Sequence, residues 1–302
     1  MLSGRHLTEL FSSIRRNFDL SGVSEITLEA NPATFDHKKA ELFQELGVTR
    51  MSLGIQSFTP HVLEILGREH TPEQAAEAVH ILREAGISSV NIDLMFSIPG
   101  QSLEDWKSTL QHAVSLKPDH ISAYNLTYEE DTKFFESLQN GTFRENEDHD
   151  ADHYHLAEEI LTAAGFDHYE TSNYAQPGHH SEHNRGYWLG HDYLGLGPSA
   201  VSTLGAIREK NIPDTSAYIR RVATLGNAIH EAETLTPEQQ RIERIALGLR
   251  TTAGISTTIL GNEALGKAQI FAGENLLMIG ETHLRLTALG RPLVDSIAAE
   301  LI

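Results

Sequence analysis

Four times before residue 127 this chain runs a short apolar strand into a polar turn and then a helix, or closes the series with a strand, and that rhythm limits the fold more than any other feature. Ser3–Phe18 reads as an amphipathic helix with Leu7, Leu10, Phe11, Ile14 and Phe18 on one stripe, broken at Ser21-Gly22. A strand is expected at Glu25–Leu28, then a helix Asp36–Leu46 closed by Gly47, then a strand Met51–Ile55. Thr59-Pro60 and Thr71-Pro72 each place a capping hydroxyl before a proline at the first helical position. A strand within Ser88–Gln101 ends at Pro99-Gly100, a helix Leu103–Leu116 follows, and Asp119–Leu126 is the next strand. The spacing fits parallel βα units.

The strand ends carry Glu29, Gln56, Asp93 and the Asn125–Thr127 run. In parallel α/β folds ligands gather at the carboxyl ends of strands, so polar residues repeated there form a site pattern, although strand ends also turn polar simply on meeting loops. Asp93 is the most telling of them. By the two-residue period Val90, Ile92 and Leu94 share one face of their strand, and Asn91 and Asp93 share the other. A carboxylate inside an apolar strand is costly unless something pairs with it.

Composition removes several function classes. Lys and Arg number 23 against 42 Asp and Glu, a net −19, which argues against a broad surface for nucleic acid or anionic membrane. No stretch is long and apolar enough for an integral membrane segment, so a cytoplasmic protein is expected. There is no cysteine, which excludes disulfides, thiolate nucleophiles and cluster ligation by these residues. Eight of the seventeen histidines (149, 153, 155, 168, 179, 180, 183 and 191) fall in one stretch, which reads either as a polar surface or as a metal or cofactor region. His149 and His153 stand one helical turn apart at the start of a helix Glu147–Ala164. They could ligate a metal, but a solvated helix start is the expectation.

A strand near Phe166–Glu170, a loop over 171–190 and the turn Gly195-Leu196-Gly197-Pro198 come next; that turn lacks the spacing of a dinucleotide fingerprint. Helices are then expected at Asp214–Leu225, Thr236–Leu249 and Thr287–Leu301, with a strand at Thr282–Leu286. The pattern resembles a small winged-helix-like module, expected to pack or cover rather than to bind DNA.

Taken together, EITLEANPATFD, RMSLGIQSF, LGREHT, VNIDLMFSIPGQSLEDW and HISAYNLTYEE resemble the oxygen-independent coproporphyrinogen III oxidases of the radical S-adenosylmethionine superfamily. HYETSNYAQPGHHSEHNRGYWLGHDYLGLGPSAVS, with its His183-Asn184-x-x-Tyr187-Trp188 run, narrows the resemblance to the heme-chaperone branch, HemW. The resemblance implies an α/β fold: an incomplete parallel (βα)6 partial barrel with about four βα units, plus a small helical, winged-helix-like C-terminal domain. It assigns 1–205 to the barrel, 206–232 to a connecting helix and 233–302 to the C-terminal domain.

The family's CxxxCxxC loop and GGGTP turn are absent from the sequence. Met1 aligns just after the latter, so the chain is expected to lack the family's N-terminal quarter. By resemblance Glu29 meets the amino group of S-adenosylmethionine, Gln56 and Arg68 its polar groups and Asp93 its ribose, while Thr127 and Val201 line the adenine pocket. His183 is implied as an axial heme ligand, with Asn184, Tyr187 and Trp188 beside it. Ser181 stands where family members often carry Cys, and Ser97 where they carry glycine.

The implied function is heme binding and delivery to an acceptor protein, with the 4Fe–4S cluster of the complete family protein lacking its ligands here. The alternatives are coproporphyrinogen III oxidation, which needs that cluster, and an inactive truncated paralogue. An open sheet edge also points to a homodimer or poor solubility.

Overall fold

The computed structural model describes residues 2–127 and 147–302, so the end of the HISAYNLTYEE motif, from Tyr128, lies outside the described residues. Contacts divide the chain into Met1–Ser181 and Glu182–Ile302, a boundary earlier than the expected 205.

In the first unit, α1 (Gly4–Asn17), β1 (Thr27–Ala30), α2 (His37–Glu45), β2 (Arg50–Gln56), α3 (Pro60–Ile65), α4 (Pro72–Glu84), β3 (Ser89–Phe96), α5 (Leu103–Ser115) and β4 (His120–Asn125) follow one another as the spacing predicts. β1 begins two residues later than expected, because the backbone N–H groups of Thr49 and Arg50 both bond to Ile26 O before the ladder starts. β1 to β4 pair in parallel in sequence order. β6 (Asn173–Ala175) then pairs antiparallel with β4, and β5 (Asp167–Glu170) lies outside it. Helix Glu147–Ala163 leads into β5. The apolar face is fully used: Met51, Leu53, Ile55, Val90, Ile92, Leu94 and Ile121 have no solvent exposure. That pattern is typical of parallel strands covered by helices.

Local signals set the helix starts. Thr71 closes a capping box with Gln74, and Ser102 closes one with Asp105. Thr59 makes no side-chain cap. Its hydroxyl instead reaches Thr109 Oγ1 and Asp105 O, both at 3.4 Å, and so ties α3 to α5.

The stretch 171–190 is less of a loop than its composition suggests. It contains β6, whose three residues are all buried, and the helix Glu182–Trp188. The stretch 206–232, expected as a connecting helix, is mostly sheet. β7 (Val201–Leu204), β8 (Ile207–Asn211) and β9 (Ile229–Thr234) form an antiparallel sheet, with helix Thr215–Leu225 inserted between the last two strands. β8 and β9 are charged and largely exposed, and β7 is short and uncharged, so no apolar alternation marks them in the sequence. The remaining core packs helices Pro237–Gly248, Asn262–Gly273 and Val294–Leu301 on β10 (Ile255–Ser256), β11 (Leu277–Ile279) and β12 (His283–Leu286), an arrangement of the winged-helix kind. Among the described residues no helix is long and apolar enough to cross a membrane.

Trp106 joins three elements of the first unit: it is fully buried on α5, its ring lies 5.5 Å from that of Phe96 on β3, and its Nε1 donates to His153 O at 2.9 Å. Trp106→Ala is expected to cost about 3–5 kcal/mol, read as a shift in the urea midpoint at unchanged m-value. A loss under about 1 kcal/mol would contradict this account of the core.

Candidate functional site

Along β2 the side chains of Arg50, Ser52 and Gln56 fall on one face with Gly54, and on β3 Asn91 and Asp93 share a face. The parallel register places Ser52 opposite Asn91, Asn91 opposite His120 and Asp93 opposite Ser122. The face of the sheet away from the apolar core is therefore polar.

Asp93 is thoroughly partnered. Ser52 Oγ donates to its Oδ2 at 2.9 Å, and Asn91 Nδ2 donates to its Oδ1 at 2.7 Å. Burial nevertheless lifts its pKa above the usual carboxylate value. The hydrogen bonds from Ser52, Asn91 and Ser122 and the charge of Arg50 pull in the opposite direction without cancelling the shift.

Because Asn91 Nδ2 is a donor, its Oδ1 accepts from His120 Nδ1 at 2.6 Å. His120 Nε2 then accepts from the Tyr169 hydroxyl at 2.7 Å, and that oxygen accepts the Ser181 N–H at 3.2 Å. His120 is fully buried and held well below the usual imidazole pKa, first by desolvation and then by the charges of Arg50, His180 and His179. Ser181, in the position where cysteine was noted for relatives, is a buried structural residue whose Oγ also reaches Glu25 Oε1 at 3.4 Å.

A cavity of about 510 Å³ opens at the carboxyl ends of β1 to β3 and is lined by Glu29, Asn31, Ser52, Gln56, Arg68 and Asp93, with Leu28 and Met51 as apolar wall. Arg68 Nη1 donates to Asn31 Oδ1 at 3.0 Å. Gly54 leaves room for these side chains, since a Cβ would stand 2.9 Å from Asn31 Oδ1 and 3.3 Å from Gln56 Nε2 and would push them aside. Gln56 sits at φ +69 beside a β-bulge, which re-aims the strand end. Ser97 also has a left-handed backbone, φ +58, and its buried Oγ lacks a partner among the described residues; glycine would relieve both costs.

Four of the six expected residues, Glu29, Gln56, Arg68 and Asp93, therefore share one cavity. Thr127 follows β4 and does not line it, and Val201 opens β7 in the second unit. Ser52, Asn91 and Asn31 were missed. The two-residue period that singled out Asp93 also applies to β2 and would have found Ser52.

In the second unit His183, Asn184, Tyr187 and Trp188 lie on the helix Glu182–Trp188. The His183 ring stands edge-on to Tyr187 at 4.9 Å, and Tyr187 lies 4.7 Å from Tyr193. Trp188 Nε1 is buried with no hydrogen-bond partner among the described residues. Tyr187 and Tyr193 help to line a second cavity of about 610 Å³.

The model of the radical SAM superfamily matches residues 2–113. The heme chaperone HemW of Lactococcus lactis is 36% identical over 256 residues, which cover 84% of this chain and 67% of that protein. HemW of Mycobacterium tuberculosis strain H37Rv is 34% identical over 305 residues, 100% of this chain and 78% of its own. The chain belongs to the HemW family. A solved structure of coproporphyrinogen III oxidase (HemN) from Escherichia coli superposes with a TM-score of 0.84 at 24% identity, covering 99% of this chain and 74% of that one; this is a likeness of fold.

The superfamily's two cofactors fare differently against this HemW relative. The first cavity pairs carboxylates with a guanidinium and amides around an apolar wall, a donor set that fits the ammonium, carboxylate and ribose of S-adenosylmethionine. A 4Fe–4S cluster does not fit: the sequence offers no cysteine, and among the described residues no group of three or more His, Asp or Glu could hold a metal. His149 and His153 do not form a solvated helix start either. His153 is fully buried against Phe96, and its Nδ1 is bonded to His149 O at 2.8 Å.

His120 gives the first unit a pH signature. Below about pH 6.5 the unfolded chain binds a proton at this imidazole and the folded chain does not, so stability falls on acidification. His70 and His153, also depressed mainly by burial, add to the slope. Asp93, with a raised pKa, acts with the opposite sign: its ionisation costs stability at higher pH, and that cost is relieved as pH falls towards the carboxylate range. Urea midpoints at pH 7.5 and 5.5 should therefore differ in the wild type and converge partly in His120→Gln. Equal slopes in both proteins would rule out His120 as the source.

Proposed function

We propose that this chain binds heme at the helix Glu182–Trp188 and delivers it to an acceptor protein in the cytoplasm, and that it holds S-adenosylmethionine in the first-unit cavity. The observation that carries the heme reading is the ring series from His183, edge-on to Tyr187, through to Tyr193, in a member of a family whose relatives are named heme chaperones. An imidazole suits heme iron, and aromatic faces suit a flat macrocycle. His183 is the ligand in this reading, Tyr187 and Trp188 offer ring surface, and Asn184 stands next to His183 on the same helix.

In the cavity, Glu29 takes the ammonium of S-adenosylmethionine, and Gln56 and Arg68 take its remaining polar groups. Asp93 accepts from the ribose hydroxyls, because its two oxygens are held in place by Ser52 and Asn91. The assignment of Thr127 and Val201 to adenine rests on resemblance. Bound S-adenosylmethionine supplies a 5′-deoxyadenosyl radical only when a reduced cluster is at hand. These residues contribute no thiolate, and they bind and orient without opening a route to that step.

Titration with heme should give a Soret shift that His183→Ala weakens about tenfold or more. Identical spectra from both proteins would refute heme ligation at His183. Separately, S-adenosylmethionine at 100 times its Kd should add about 2.7 kcal/mol of stability. No thermal shift, or an equal shift in Asp93→Asn, would remove S-adenosylmethionine from the cavity.

A further inference from the structure

The second-unit cavity holds a cation that heme ligation at His183 does not use. Of its charged lining residues, Arg208 is spoken for, since its Nη1 and Nη2 donate to Glu243 at 2.6 and 2.8 Å. Asp192 Oδ1 accepts the Gly205 N–H at 2.8 Å, which fixes a turn. Arg244 lines the same cavity and has no ion pair or hydrogen bond among the described residues.

The backbone makes room for that guanidinium. Gly190, at φ +64, closes the segment after the helix Glu182–Trp188. A Cβ there would stand 2.7 Å from Arg244 Nη1 and 3.0 Å from its Cζ. Any larger residue would both strain the backbone and push Arg244 away. The aromatic and apolar part of the wall comes from Tyr187, Tyr193, Leu235 and Leu247, beside the polar side chains of His191, Thr203 and Gln240. The volume, about 610 Å³, is that of a small-molecule site.

An unpaired planar fork facing an aromatic and apolar wall matches a flat apolar body that carries a carboxylate on its edge. We propose that Arg244 is the carboxylate anchor of this cavity, receiving a propionate of the heme whose iron His183 binds. The proposal rests on the heme reading but makes a separate claim, because His183 meets the iron and Arg244 meets the edge. Tyr187, which contacts His183 through its ring and lines the cavity, links the two.

The test compares heme with its propionate methyl ester by Soret titration of wild type, Arg244→Gln, Gly190→Ala and His183→Ala, with thermal melts confirming that each variant folds. Arg244→Gln should weaken heme binding about tenfold and leave the ester's affinity unchanged. Gly190→Ala should act in the same direction by displacing the guanidinium. If Arg244→Gln binds heme like the wild type while His183→Ala loses it, the anchor is overturned and the heme reading stands. If Arg244→Gln weakens heme and ester equally, Arg244 is a packing residue and the proposal fails. If neither variant alters heme binding, both readings fall.

Discussion

Asp93 can stay inside β3 because the strands on either side of it solvate its carboxylate. Ser52 comes from β2, Asn91 from two residues earlier on β3 and Ser122 from β4. All three arrive only in the observed register, with Ser52 opposite Asn91 and Asp93 opposite Ser122. A slip of one residue would turn every inward polar group onto the helix-covered face and every apolar one off it. One constraint thus fixes three things: the pairing of the central strands, an ionisable group at the cavity wall, and a neutral His120 beneath it. A charged His120 would carry a second N–H at Nε2, facing the Tyr169 hydroxyl that otherwise donates to it, and burial away from water holds its pKa well below the usual imidazole value.

Most of the first unit was legible because each of its elements obeys a single period. Val90, Ile92 and Leu94 against Asn91 and Asp93 is a clean two-residue alternation, and the structure buries the apolar set completely. Thr71 and Ser102 announced their helices by capping chemistry that acts locally. Polar strand ends also led to Glu29, Gln56 and Asp93, and resemblance added Arg68; the four share one cavity. What escaped depends on contacts distant in sequence. β6 is buried only because it pairs with β4, some fifty residues earlier, and nothing local distinguishes Asn173–Ala175 from a loop. β8 and β9 are charged and largely exposed, so the ladder they form with β7 rests on backbone pairing without an apolar face to reveal it. His153 illustrates the same limit. Its acidic, histidine-rich neighbours suggest solvent, yet α5 and β3 cover it.

The two candidate sites are built to opposite specifications. Around Asp93 each polar group is braced by others and largely withdrawn from water, an arrangement suited to hold a polar ligand in one pose. His183 is exposed, on a helix of seven residues, against a tyrosine that is itself partly exposed. In the proposed heme reading, an exposed imidazole would bind iron without the burial that slows release, and a carrier must let go of its cargo. Cavity walls of rings and aliphatic side chains supply area, while direction comes from a few polar contacts near the edge. On the proposed reading, that division would give delivery a physical basis: an acceptor would need to compete only for the iron and for the edge contacts, because the ring surface discriminates little between one apolar wall and another.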